Sequence, residues 1–410
     1  PTISSLSPLD NAVSVSPSTN LVITFNEAVV IGSGNITIKE SVGDATFETI
    51  PVANVTGSGT NTITINPVGT LAQSTGYYIN IDATAFDDTA GNSFAGVSNN
   101  STWNFTTADT NPPTVSSATA SPNPAAAGTV TVTVVFNETM NTSVSPTVTI
   151  TGINGAPVSV TQSSYSGSTW IGTFTLTDTN EEKTAAISVS GAQDAAGNTM
   201  TANASAGTFA IDTISPAITF SNNVEIGPVA SDTIVIDVVE ANGSSYNYAF
   251  SADSVCNAAD TYSNSFTPSV SFNVTTNNGQ WICARVIDTA GNTSYQASAR
   301  ALNLDANPPT VSSATASPNP AAAGTVTVTV VFNETMNTSV SPTVTITGIN
   351  GAPVSVTQSS YSGSTWIGTF TLTDTNEEKT AAISVSGAQD AAGNTMTANA
   401  SAGTFAIDTI

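Results

Sequence analysis

Asp194-Ala195-Ala196-Gly197-Asn198 is one of four copies of an Asp-x-Ala-Gly-Asn stretch. The others are Asp88-Thr89-Ala90-Gly91-Asn92, Asp288-Thr289-Ala290-Gly291-Asn292 and Asp390-Ala391-Ala392-Gly393-Asn394. The intervals are 106, 94 and 102 residues. Each copy follows an alternating run, such as Gln280-Trp281-Ile282-Cys283-Ala284-Arg285-Val286-Ile287, and leads into another extended Thr/Ser-rich run before an Asp and a proline. Asp bonds its own backbone two residues on, and Gly or Asn tolerates positive φ, so the stretch reads as a turn between strands. Recurrence near every 100 residues predicts four modules: 1–109, 110–214, 215–306 and 307–410.

Composition narrows the function classes. The 410 residues carry 29 acidic and five basic side chains, no histidine and a net charge of −24. Phosphate backbones and anionic membrane surfaces need clustered Lys or Arg, so neither is an expected partner. No window approaches 18 apolar residues, so no membrane insertion is expected. Thr, Ser, Asn, Gly and Val dominate, which favours strands and turns. Pro1 opens directly in a strand-like segment with no signal peptide, as in a mature form or an excised piece.

Residues 111–214 recur unchanged as 307–410, an offset of 196. Identity over 104 residues implies recent duplication, and the chain reads as a window on a longer array whose repeating unit holds two modules. In the second module Thr129-Val130-Thr131-Val132-Thr133-Val134-Val135-Phe136 alternates with period two. Further runs lie at 113–119, 146–151, 157–162, 168–177, 184–192 and 199–211. Seven short strands predict an immunoglobulin-like sandwich, with Trp170 and Trp366 in the core or partly exposed on a strand. The expected fold class is all-β: four tandem immunoglobulin-like sandwiches in an elongated array.

In the first module the predicted strands are 2–6, 20–25, 35–40, 60–65, 77–83 and 102–107. Its Ser7-Pro8-Leu9-Asp10-Asn11-Ala12 followed by Leu21-Val22-Ile23-Thr24-Phe25-Asn26-Glu27 resembles the bacterial immunoglobulin-like domain found in S-layer proteins and surface adhesins. The resemblance covers the whole module and implies fold far more than function.

The third module departs from its neighbours. Its second strand is read at 234–240 and its sixth at 281–287. Cys256 and Cys283, the only cysteines, lie 27 residues apart within it. A disulfide closing that loop is the favoured reading; two free buried thiols are the alternative.

Enzymatic constellations are missing. There is no histidine for a triad, no phosphate-binding loop and no His/Cys metal cluster, so a non-enzymatic protein is expected. Glu181-Glu182 and Asp87-Asp88 read as solvated loop charge. Self-generated Lys–Asn cross-links need a core lysine, and Lys183 and Lys379 are read in a polar turn. Asn-x-Ser/Thr sequons such as Asn35-Ile36-Thr37 are expected by chance in such a chain.

One constellation emerges from topology. In a seven-strand sandwich the loops after strands two, four and six share the pole that carries the amino terminus. The loop after strand two begins with Glu27, Glu138, Glu240 or Glu334. The loop after strand six carries the Asp of the motif, and the entering linkers add Asp109, Asp212 and Asp305, with Asn111 and Asn307. These Asp-x-Asn linkers resemble those on which cadherins and bacterial adhesin arrays hold interdomain calcium. That resemblance implies three calcium sites: Asp109, Glu138 and Asp194; Asp212, Glu240 and Asp288; Asp305, Glu334 and Asp390. Asn111 and Asn307 would fill remaining places, and Glu27 with Asp88 would form an incomplete site. The alternative is that Asp and Asn merely close turns.

The expected function is that of a structural spacer: part of an extracellular bacterial stalk, adhesin or surface fibre whose partners are neighbouring modules of a longer chain or copies of itself. A self-assembling S-layer or filament subunit is a second reading. A glycan- or ligand-binding module is a third, with the third module as the candidate.

Overall fold

The computed structural model describes residues 1–239 and 242–410. Glu240 and Ala241 lie outside the described residues, and with Glu240 goes one expected ligand of the second calcium site. Among the described residues the chain is built from strands, with a single 3-10 turn at Val52–Asn54. It divides into two compact units, Pro1–Thr177 with Glu181–Ile211, and Asp178–Asn180 with Asp212–Ile410.

In the first unit, residues 1–107 fold as a sandwich. One sheet orders Ile3–Ser7, Leu21–Ile31 and Thr60–Ile65, with Phe86–Asp88 also on Leu21–Ile31. The other orders Ala12–Val15, Asn104–Thr107, Gly76–Ile81, Asn35–Glu40 and Thr46–Pro51. Leu21, Ile23, Phe25, Ile36, Ile38, Phe86 and Trp103 meet between them, and the Trp103 indole N–H donates to the Pro8 carbonyl at 2.8 Å. The strand read at 20–25 runs on to Ile31, past Glu27: after a register shift between Thr24 and Val29, Val29 still pairs with Thr60, and Val29–Ile31 pair on the other side with Phe86–Asp88. Glu27 is thus an exposed strand residue and does not open a loop as expected.

Residues 115–212 form a second sandwich. Its first sheet orders Val115–Ser121, Gly128–Phe136, Thr169–Leu176 and Thr161–Ser166; its second orders Val158–Ser159, Thr147–Thr151, Glu182–Ser190 and Asn203–Asp212. The period-two reading holds: Val130, Val132, Val134 and Phe136 are buried, and the threonines between them face outward. The run expected at 157–162 is two short strands in different sheets, so the chain changes layer there. Trp170 is fully buried and its indole N–H donates to Gln162 Oε1 at 2.8 Å, which removes it as a stacking platform for a sugar.

The second unit repeats this sandwich over 311–408, strand for strand. Residues 218–304 form a different one: Ile218–Asn222, Asp232–Val238 and Phe272–Val274 face Asn264–Ser265, Gly243–Ser251, Trp281–Asp288 and Thr293–Ala297. Its core, which includes Ile218, Ile234, Ile236, Ile282, Ala284 and Val286, is the smallest of the four among the described residues. Cys256 and Cys283 are bonded, with Cα atoms 5.3 Å apart, and pin the segment after Ser251 to the outer face of Trp281–Asp288. On that face Arg285 lies over the Tyr262 ring, 4.6 Å from its centre.

Two expectations about charge are corrected. Asp88 and its neighbour Asp87 lie in the strand Phe86–Asp88, not in a loop. Glu181 and Glu377 are buried, with 4% of their surface exposed. The Glu377 carboxylate accepts the Asn350 N–H at 2.8 Å and pairs with Lys379 at 3.1 Å; Glu181 does the same with Asn154 and Lys183. Each lysine also donates to that asparagine's side-chain oxygen. Glu377 lies one residue before the strand Glu378–Ser386 and is buried, while Glu378, the first strand residue, is exposed. Burial works to raise the Glu377 carboxyl, but the bonds from Lys379, the Asn350 N–H and Thr375 hold it below the ordinary glutamate range. The lysines belong to this ion pair in the strands Glu182–Ser190 and Glu378–Ser386, not to a turn.

Candidate functional site

Each motif folds as a tight turn whose Asp closes it twice. In Asp194-Ala195-Ala196-Gly197-Asn198 the Asn198 N–H donates to Asp194 Oδ1 at 2.8 Å, and its side-chain amide donates to Asp194 Oδ2 at 2.7 Å. Gly197 supplies the left-handed residue, with φ of 95°, so positive φ falls on the glycine and the asparagine is free for another task. The same bonds recur at Asp390 with Asn394, and at Asp288 with Asn292. Asp88 and Asn92 repeat them on the surface, where the Asn92 amide holds the Asp88 carboxyl below its usual range. The turn-closing role of these aspartates is real.

Backbone bonds then bring the loop after the second strand against the turn. Ala195 N–H donates to the Thr139 carbonyl at 3.1 Å and Asn141 N–H to Gln193 at 2.8 Å. The linker is held on the other side: Thr114 N–H donates to Asn137 Oδ1, and Asn137 N–H to the Thr114 carbonyl. Glu138 is caught between the two. Carboxylate oxygens of Asp109, Glu138 and Asp194 consequently lie within 4.8 Å of one another, as do those of Asp305, Glu334 and Asp390. Two of the three expected groups are thereby assembled from positions up to 85 residues apart.

In the second expected group, whose Glu240 lies outside the described residues, Asp212 and Asp288 are both buried, and the Asn292 amide joins the Asp212 carbonyl to Asp288. Asn111 and Asn307 donate their backbone N–H groups to Asp109 and Asp305, each at 3.0 Å, in Asx turns. Glu27 Oε1 sits 3.4 Å from the Pro1 amino group.

The electrostatics of the two complete groups agree. Burial, then the charges of Asp109 and Asp194, push the Glu138 carboxyl above its ordinary value; burial, Asp305 and Asp390 do the same to Glu334. The five cations of the chain are engaged elsewhere: Lys39 with Asp44, Lys183 with Glu181, Lys379 with Glu377, Arg285 with Asn247 and Tyr262, and Arg300 with the Val224 carbonyl. Each close carboxylate pair therefore repels by roughly 1–4 kcal/mol, depending on the local dielectric. The donor set is oxygen only, and each carboxylate keeps lone pairs beyond its hydrogen bonds, so it suits a hard divalent cation.

The inter-module role of the motif asparagine was not read from the sequence. Asn198 Nδ2 also donates to the Asp109 main-chain oxygen at 3.1 Å, and Asn394 Nδ2 to that of Asp305 at 2.7 Å. Its recurrence in every copy was the available signal, but a turn residue alone explains recurrence.

Residues 1–107 match the family model described as the bacterial Ig-like domain. No match was found among curated proteins. Among solved structures the chain is similar to titin domains A168-A170, at 10% identity over 70% of this chain and 98% of that one, TM-score 0.29. It is likewise similar to the human desmocollin-1 ectodomain, at 13% identity over 100% of this chain and 78% of that one, TM-score 0.27. A DUF4785 family protein from Legionella pneumophila matches at 12% identity over 68% of this chain and 83% of that one, TM-score 0.23. No helix among the described residues is long and apolar enough to cross a membrane.

Proposed function

We propose that this chain, whose first module matches the bacterial Ig-like family, is a non-enzymatic spacer from an extracellular bacterial stalk, adhesin or surface fibre, with joints stiffened by calcium. The observation that carries the reading is the repeated carboxylate triad. Asp109 belongs to the linker while Glu138 and Asp194 belong to the module it enters, so a cation held by all three ties one to the other. Asp305, Glu334 and Asp390 would do the same in the second unit. Calcium suits such a site better than magnesium, because ligands from a linker and two loops do not impose a tight octahedron. Bound ion would cancel the repulsion and hold the joint at one angle; without it the joint would be charged and hinged. Duplication of a 104-residue module lengthens a spacer without requiring new surface chemistry.

Titration calorimetry with calcium, paired with small-angle scattering before and after chelation, tests this. Calcium uptake at millimolar or lower concentration and a scattering curve that changes on chelation are expected. No uptake and an unchanged curve would leave the aspartates as turn-closing residues only.

A further inference from the structure

We infer that the last residue of the Asp-x-Ala-Gly-Asn turn is a module coupler, whose side-chain amide grips the main chain of the entering linker and reads no side chain of the module upstream. This coupling goes beyond the calcium reading and does not depend on it.

The chain contains its own controlled comparison. Residues 111–214 and 307–410 are identical, yet one follows the module that ends at Asp109 and the other follows the unrelated, disulfide-bonded module that ends near Asp305. Both make the same joint: Asn198 Nδ2 to the Asp109 carbonyl, and Asn394 Nδ2 to the Asp305 carbonyl. Asn292, within a module of different sequence, makes it again with the Asp212 carbonyl at 2.9 Å. The three linkers share little beyond that Asp and a proline three or four residues on.

The geometry explains why asparagine is needed. A primary amide has two N–H donors. One is fixed on the motif Asp, at 2.7 Å in Asn198, and that bond orients the other toward the linker. Both neighbours are acceptors, so only the nitrogen end fits there. Aspartate would place an anion against a carboxylate and a carbonyl; alanine would leave the linker carbonyl without its donor. Because the acceptor is main chain, modules can be duplicated or reordered without redesign of the joint, which accounts for one sequence serving behind two different neighbours.

Asn92 provides the internal control. It makes the same turn bonds to Asp88, and among the described residues its amide is not seen on a linker carbonyl. The experiment uses the full chain with spin labels at introduced cysteines replacing exposed Val42 and Ser163, one in each module of the first unit, with chelator present throughout. N198A is expected to raise the undocked fraction of the distance distribution roughly fivefold, the factor carried by one net hydrogen bond. N198D is expected to raise it further, and N92A to leave it unchanged. An N198A distribution superimposable on the parent would overturn the inference. So would equal broadening by N92A, since loss of a turn bond alone would then suffice. Running the series in chelator separates this outcome from calcium binding, which can fail or hold independently.

Discussion

The Asn198 side-chain amide donates to the Asp109 main-chain oxygen 89 residues upstream while bonding Asp194 in its own turn. One residue thus closes a turn, orients a buried carboxylate and fastens the linker. This sets Asp109 beside Glu138 and Asp194. The order of causes runs from turn to joint to triad, so the triad can be perturbed at Glu138 with the asparagine bond left in place.

Glu138→Gln leaves the turn and the asparagine bond intact but removes one of three carboxylates. Calorimetry should show calcium affinity reduced about tenfold or more at that joint, from weakened charge attraction at short range. The Asp305–Glu334–Asp390 joint should be unaffected. A titration identical to that of the parent would contradict the assignment.

Acidification should act in opposite senses at two kinds of glutamate. Glu138 and Glu334 have carboxyls raised above the ordinary 4.5, first by burial and then by the neighbouring aspartates. Without calcium their contribution to stability is fully present below 4.5 and is lost as pH rises through the raised value. Glu377, held low, contributes above 4.5 and loses its contribution as pH falls through its folded value. Calcium must displace the proton wherever Glu138 holds one, so its apparent affinity should fall as pH drops through the raised value. Calorimetry in two buffers of different ionisation heat would detect the released proton, and E138Q should abolish that release at its joint.

Reduction of Cys256–Cys283 should destabilise the 218–304 sandwich selectively. A closed loop of 27 residues corresponds to about 3.5 kcal/mol on the chain-entropy estimate. Among the described residues that module has the smallest core from which to offset the loss. Scanning calorimetry with and without reductant should show one transition moving down while the others stay in place.

Trp170→Ala and Trp366→Ala should each cost about 3–5 kcal/mol, because both indoles are enclosed in the same core. Each loses the same bond, to Gln162 or Gln358. Equal shifts in chemical denaturation are expected. A cost under 1 kcal/mol at either site would mean the indole is not packed as described.

Most strands were legible in the sequence because they depend on local pattern, whereas the layer change within 157–162 was not. Valine on alternate positions of Thr129–Phe136 forces one face inward whatever the rest of the chain does. The boundaries that failed were those set by a partner strand: Leu21–Ile31 runs past Glu27 because Phe86–Asp88, some 60 residues later, offers a second edge to pair with.

The sequence by itself determined the module repeat, the turn at each Asp-x-Ala-Gly-Asn, and the residue types available for a hard cation, since these follow from composition and near-neighbour chemistry. Tertiary structure decided which of those residues meet. The glutamates at 181 and 377 look like surface charge until the fold buries them against the Asn154 and Asn350 N–H groups and Lys183 and Lys379. Asn198 looks like a turn residue until the linker passes within reach of its second amide hydrogen. Burial and long-range hydrogen bonds depend on distances in space, and those arise only when two sheets and a linker close over the same few ångströms.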